Sequence, residues 1–186
     1  MKTYLATLKA CAVLAITAFA LGSAGSAAAA DDHSLDQDAR AALNSLYEKT
    51  PAAKALGDKA KGILVFPNIV KLGFIVGGAG GDGVMFEKGK ITGHYNSSAA
   101  SVGLQAGGES YGYAVFFMTD ASMGQIKKAS GWEIGLAPNI VIVDAGAAKN
   151  ISTTTTQSDI YAFIFNLKGL MAGAGLQGAK ISKINR

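Results

Sequence analysis

The apolar positions change their period part-way along the chain. Leu35, Ala39, Ala42, Leu43, Leu46 and Tyr47 fall at helical spacing. They form one stripe and predict an amphipathic helix beginning at Ser34. Ser34 with Gln37 spells a capping box, and Asp36 and Asp38 complement the helix dipole. Pro51 opens a second short helix, lined by Ala52, Ala55, Leu56 and Lys59 and ended by Gly62. From Ile63 onward, β-branched, aromatic and glycine residues dominate. Residues 63–66 read as a strand stopped by Pro67-Asn68. Residues 72–76, 83–86, 93–104 and 110–118 read as further strands, with Glu87-Lys88-Gly89-Lys90 as a hairpin turn. One helix interrupts this series. Thr119 or Asp120 caps it, and Met123, Ile126 and Lys127 carry it towards Gly131. Strands resume over 139–145, 159–167 and 170–181, and 153–156 suits an extended edge.

Glycine then decides the architecture. The chain holds 24 glycines, many inside the expected strands. Glycine within a strand weakens pairing, and it is kept where a sheet bends, bulges or lets another backbone approach. Gly103, Gly107, Gly108 and Gly112 therefore predict tightly coiled sheets. The expected fold is mainly β (α+β): a strongly curved antiparallel barrel-like sandwich, with N-terminal helices and one inserted helix.

The first thirty residues carry a different signal. Lys2 and Lys9 precede an uncharged apolar run over 10–21, and small residues end in Ala28-Ala29-Ala30. That order is a secretory signal cut after Ala30, and its apolar run is too short for the ~20 residues of a bilayer span. A retained N-terminal anchor is the alternative. The expected organisation is a signal peptide over 1–30, an amphipathic helix over 31–50 and a β-rich domain over 51–186. Cys11 is the one cysteine. It sits at the start of the apolar run with Lys9 two positions before it, which is wrong for a lipid-modified cysteine. The exported chain then has no cysteine for disulfides, zinc–thiolate sites or nucleophilic catalysis.

The formal charge of +4 loses two units with Lys2 and Lys9. Asp31, Asp32, Asp36, Asp38 and Glu48 then make the leading segment acidic, and basic residues outnumber acidic ones beyond it. A mildly basic body suits an anionic lipid surface.

Candidate chemistry is sparse. Gly78-Ala79-Gly80-Gly81-Asp82-Gly83 has the spelling of a dinucleotide loop, but Val84-Met85-Phe86 follows where a helix is required. A glycine hairpin is the better account, and no nucleotide is expected. His33 and His94 are the two histidines, too few for an obvious metal site. There is no nucleophile elbow. Glu109, Asp120, Glu133, Asp144 and Asp159 are scattered, and catalysis would require His94 to meet two acids in a pocket. Lys127-Lys128 is a pair without stacking aromatics, so no nucleic acid is expected. The expected protein is not an enzyme and has no cofactor and no metal.

Several segments carry a resemblance. These are Lys61-Gly62-Ile63-Leu64-Val65-Phe66-Pro67, Gly77 to Gly83 followed by Val84, and Ser101-Val102-Gly103-Leu104-Gln105-Ala106-Gly107. Ala114 to Thr119, Ser130-Gly131-Trp132-Glu133-Ile134-Gly135 and Asp144-Ala145-Gly146-Ala147 continue it. Tyr161-Ala162-Phe163 and Lys168-Gly169-Leu170-Met171-Ala172-Gly173 complete it. In this order they resemble the SYLF lipid-binding domain over residues 51–186. The resemblance implies a non-enzymatic phospholipid-binding domain. Eukaryotic members are associated with phosphoinositides and some, in yeast, with actin. Exported bacterial members are described as lipid-binding, and many are lipoproteins, from which this chain departs at the missing lipidation cysteine. The expected partner is an anionic phospholipid or membrane surface in a bacterial envelope, with the protein periplasmic or peripherally associated. An envelope scaffold that receives a protein is the alternative. Lys54, Lys59, Lys61, Lys71, Lys127, Lys128, Lys168, Lys180 and Lys183 are the candidate phosphate contacts. The Leu35–Tyr47 stripe or the apolar glycine-rich edges would supply apolar contact.

Overall fold

The structure, a computed structural model, describes residues 24–128, 131–134, 140–143, 158–169, 176 and 178–186. Expectations for 1–23, 144–157 and 170–175 lie outside the described residues. The chain divides into two compact units, Met1–Ser34 and Leu35–Arg186. Helix α1 spans Ala24–Lys49, so the expected start at Ser34 is corrected. Alanine is the best helix former, and the run over 27–30 carries the helix through Ser34. Helix α2 spans Pro51–Gly57 with Pro51 in the first turn. It stops before Gly62, which instead opens the sheet. Helix α3 spans Asp120–Ile126. Its cap is Thr119 rather than Asp120: the Thr119 hydroxyl accepts from the Ser122 amide at 3.2 Å, and Ser122 Oγ accepts from the Thr119 amide at 3.3 Å.

The sheet is built on two long strands, β1 (Gly62–Glu87) and β2 (Lys90–Phe117), paired antiparallel. The expected series of short strands is corrected, because it merges into these two. Pro67-Asn68 does not stop β1. Phe66 pairs with Tyr113 and Ile69 with Tyr111, so Pro67 and Asn68 together oppose Gly112 in a bulge. A residue without an N–H is tolerated there because the bulge makes no ladder bond. The expected hairpin over 78–83 is likewise corrected: these residues run within β1 and pair with residues 95–100 of β2. The real turn is Lys88-Gly89, with φ of 51° and 76° and Glu87 paired to Lys90. Positive φ at both central residues is the two-residue turn that matches strand twist.

Strands β3 (Trp132–Glu133), β4 (Ile140–Val143), β5 (Ile160–Gly169) and β6 (Lys180–Ile184) complete the sheet. The order is β3-β6-β2-β5-β4, with β1 on β2. The mainly β expectation holds in a curled, mixed half-barrel sheet. One pairing is parallel, β4 with β5, where the sequence pattern suggested antiparallel strands throughout. The segment between Val143 and Ile160 is long enough for the crossover that a parallel pair demands.

Curling comes from the middle of the long hairpin. The register shifts between Gly73 and Ile75, opposite Gly107 and Gly103. The two halves of β1 then approach each other in nested order. A Cβ at Gly62 would meet Met85 Sδ at 3.4 Å, one at Gly83 would meet the Val65 carbonyl at 2.7 Å, and one at Gly81 would overlap the Asn68 carbonyl. Strand β2 doubles back with it, since the buried Tyr113 hydroxyl donates to Ser97 Oγ at 2.7 Å. Burial drives the Tyr113 phenol pKa upward, so it stays a neutral donor. Glycine at 81 and 83 is what lets the two backbones touch.

Alternate residues of the strands enter two cores. Leu64, Phe66, Tyr113, Val115, Phe117 and Ile181 belong to one. Ile63, Val65, Ala114, Phe116 and Phe163 belong to the other, where they meet Ala39 and Leu46 of α1 and Ala53 and Leu56 of α2. Burial on both faces explains the near-continuous apolar run over 111–117.

Candidate functional site

Among the described residues the carboxylates do not converge. Glu109 pairs with Lys71 at 3.7 Å, Asp120 with Lys61 at 3.9 Å, and Glu133 stands opposite Lys180 in the β3–β6 ladder. The Asp159 carbonyl accepts from the Met118 amide, and Asp144 lies outside the described residues. His94, on β2, meets the carboxylate of Asp36 on α1, with Nε2 to Oδ1 at 2.9 Å. Sequence spacing missed this pair because 58 residues separate the two.

The nine candidate lysines fall into separate groups. Lys54 is ion-paired with Asp58 and lies 5.7 Å from the Tyr47 ring centroid. Lys59 follows α2 and is exposed. Lys61 and Lys127, with Lys88, line a cleft of about 580 Å³ that also holds Glu87 and Asp120. Lys127 Nζ is 3.0 Å from Glu87 Oε1. Burial pushes the Glu87 carboxyl pKa upward, but hydrogen bonds from Lys127 and Thr92 and the charges of Lys127 and Lys183 outweigh it, and the net pKa is lowered. Lys128 is exposed beyond α3. Lys180 and Lys183 lie on β6, opposite Ser98 and Tyr95. Lysines 61 and 127 are thus brought together beside acids, and Lys183 is near enough to act on Glu87.

Lys71 and Lys168 lie in adjoining rows elsewhere in the sheet, on opposite faces. Lys71, Glu109 and Gly169 form one row across β1, β2 and β5, and Val70, Ser110 and Lys168 form the next. These rows approach the point where the long hairpin doubles back. Val70 is 42% exposed and Leu72, two residues on and therefore on the same face, is 61% exposed. Leu167 is also exposed. Asn166, at φ 54°, takes up a register shift in β5 beside this patch. The apolar contribution of Val70 and Leu72 was hidden in the sequence, where Leu72 reads as the start of a core strand. The flanking Gly73, Gly107 and Gly108 are the signal that nothing large covers them.

By contrast, the Leu35–Tyr47 stripe is occupied. Ala39 and Leu46 are buried, and Leu35, Ala42, Leu43 and Tyr47 pack against the sheet core. This stripe covers the sheet and leaves the glycine-rich edge as the exposed apolar surface.

Residues 98–186 match the family model Ysc84, described as Las17-binding protein actin regulator. Over these residues the chain is similar to the SYLF (Ysc84) domain. No curated protein matches the chain. The SYLF match takes in β2 from Ser98 onward and everything after it, including Glu109, Ser110 and Lys168 of the rows just described. Strand β1, which supplies Val70, Lys71 and Leu72, precedes the matched residues but is the direct hydrogen-bonded partner of β2. The SYLF family is not known as enzymatic. Among the described residues no group of three metal-ligating side chains occurs, and no helix is long and apolar enough to cross a membrane.

Proposed function

We propose that this protein is a non-enzymatic phospholipid-binding protein of the bacterial cell envelope, exported by its N-terminal signal and touching the membrane surface peripherally. The observation that carries this reading is the exposed pair Val70 and Leu72 on the same face of the sheet as Lys168. Entry of an exposed Val or Leu side chain into an apolar phase contributes about 1.5–3 kcal/mol. A lysine near an anionic surface adds about 1 kcal/mol. The two effects together support weak, reversible attachment, and the isolated lysines elsewhere do not.

Vesicle flotation tests the reading. The protein is expected to float with vesicles containing anionic phospholipid and to stay behind with purely zwitterionic ones. Equal, negligible flotation with both would sink the proposal.

A second reading is an envelope scaffold. It is favoured by the family description, which names a binding protein and an actin regulator. This reading expects a defined protein to co-purify from envelope extract at salt concentrations that abolish vesicle binding.

A further inference from the structure

A cleft of about 430 Å³ lies between α1, the end of α2 and the Lys88-Gly89 turn. Four hydrogen-bond donors line it: the Arg40 guanidinium, the Asn44 amide, the Tyr47 hydroxyl and the Lys88 ammonium. Leu43 and Phe86 supply apolar wall. The guanidinium is held in place, with its carbon 5.1 Å from the Phe86 ring centroid and Nη1 donating to the Gly89 carbonyl at 3.5 Å. Among the described residues Arg40 and Lys88 make no ion pair, and the carboxylate lining the cleft, Asp58, is already paired with Lys54. Two uncompensated cations beside an apolar wall match a ligand that joins an anion to hydrocarbon.

We propose that this cleft binds a phosphate ester bearing an apolar group, with Arg40 and Lys88 holding the phosphate and Leu43 and Phe86 the hydrocarbon. Tyr47 is equipped to donate, because burial and then the Asp58 charge raise its pKa to about 12 and keep its proton on. The same chemistry is offered by a phospholipid headgroup and by a soluble phosphate ester. The lipid source rests on the phospholipid reading above, and the recess itself does not. The cleft also differs in place from the Val70–Leu72 patch. It adjoins Gly62 and Gly89, at the base and tip of the long hairpin, whereas the patch adjoins its middle.

The test uses the full chain with hexyl phosphate, hexanol and inorganic phosphate as soluble probes, followed by calorimetry. Vesicle flotation with phosphatidic acid forms the second arm. The variants are Arg40→Met, Lys88→Asn and Leu72→Asp; asparagine suits the positive φ at 88. Saturable hexyl phosphate binding is expected, with hexanol and inorganic phosphate each much weaker. Arg40→Met and Lys88→Asn are each expected to weaken it tenfold or more, and Leu72→Asp to leave it unchanged. If the two cleft variants also reduce flotation, the source is a membrane lipid; if flotation is untouched, it is a soluble ester. Absence of saturable hexyl phosphate binding overturns the recess, as does wild-type affinity in both cleft variants. Should Arg40→Met fail to fold, Lys88→Asn at the exposed turn decides alone. Flotation lost only in Leu72→Asp, with no hexyl phosphate bound, overturns the recess and leaves the surface patch standing.

Discussion

His94 Nε2 and Asp36 Oδ1 stand 2.9 Å apart and join α1 to β2. Both side chains are largely shielded, at 13% and 26% exposure, so the contact is a tether for the helix that covers the sheet. Asp36→Ala is expected to lower stability by about 1.5 kcal/mol, the lower end for a hydrogen bond to a charged group. Asp38→Ala, at an exposed position two residues further along the same helix, is expected to change it by no more than about 0.5 kcal/mol. Urea midpoints of the two variants make the comparison. Equal midpoints would remove the tether from the account.

Gly81 has no room for a methyl group, because its Cβ would overlap the carbonyl of Asn68 in the bulge. Gly81→Ala is expected to cost about 1–3 kcal/mol, the range for overpacking. Gly124 in α3 has nothing within 4 Å of its Cβ position. Gly124→Ala is therefore expected to stabilise by about 0.5–1 kcal/mol, since alanine restricts the unfolded chain and favours helix. Opposite signs in urea denaturation are the outcome to look for.

Glu109 is buried with neither carboxylate oxygen hydrogen-bonded, and Lys71 lies 3.7 Å away. Removing the lysine alone leaves an uncompensated buried charge. Lys71→Met is expected to destabilise by about 3 kcal/mol, the lower part of the range for a broken buried pair, because Lys71 retains some water. The double variant Lys71→Met, Glu109→Leu is expected to recover most of that loss. A double-mutant cycle checks it; simple additivity would contradict the pairing.

Glu87 titrates below its ordinary value of 4.5 in the folded chain. The sign follows from proton binding, since the unfolded state takes up a proton first as pH falls. The stabilisation is complete above about pH 4.5 and fades as pH drops through the lower folded value. Lys127→Met removes the main partner and is expected to flatten this acid limb. Urea midpoints between about pH 3 and pH 6, with the Glu87 carboxyl carbon followed by NMR, give the comparison. An unchanged limb would mean that Lys127 does not hold the carboxylate.

Leu72→Asp on the exposed face is expected to reduce flotation with anionic vesicles about tenfold, the equivalent of about 1.4 kcal/mol. Lys168→Gln is expected to reduce it less, and only at low salt, because an exposed charge is screened. Flotation that ignores Leu72→Asp would move membrane contact away from the hairpin's middle.

Local chemistry made much of the fold legible. The stripe from Leu35 to Tyr47, Pro51 at the head of α2 and the Lys88-Gly89 turn all form as their residue types dictate. Glycine pointed to curvature, and the sheet does curl. Strand lengths were illegible. Pro67 reads as a stop because it lacks an N–H, and only the facing Gly112 reveals a bulge that needs none. The sequence offered Thr119 or Asp120 as the cap of α3, and the reciprocal bonds of Thr119 with Ser122 decide for Thr119. The lysine set marked charge without position. Which cations face an acid depends on pairings such as Lys71 with Glu109 and Lys127 with Glu87, and these are set by register and by folding of the hairpin.

A hairpin that folds over on itself also constrains how this chain reaches its native state. The Lys88-Gly89 turn zips locally, but closing Gly81 onto Asn68 must wait for distant residues to meet, which slows folding. Until β5 and β6 arrive on β2, the newly formed ribbon offers long unpaired edges that another copy can extend. The interval between zipping and closure is thus the stage at which the chain is most exposed to self-association, and a chaperone guarding it would act there.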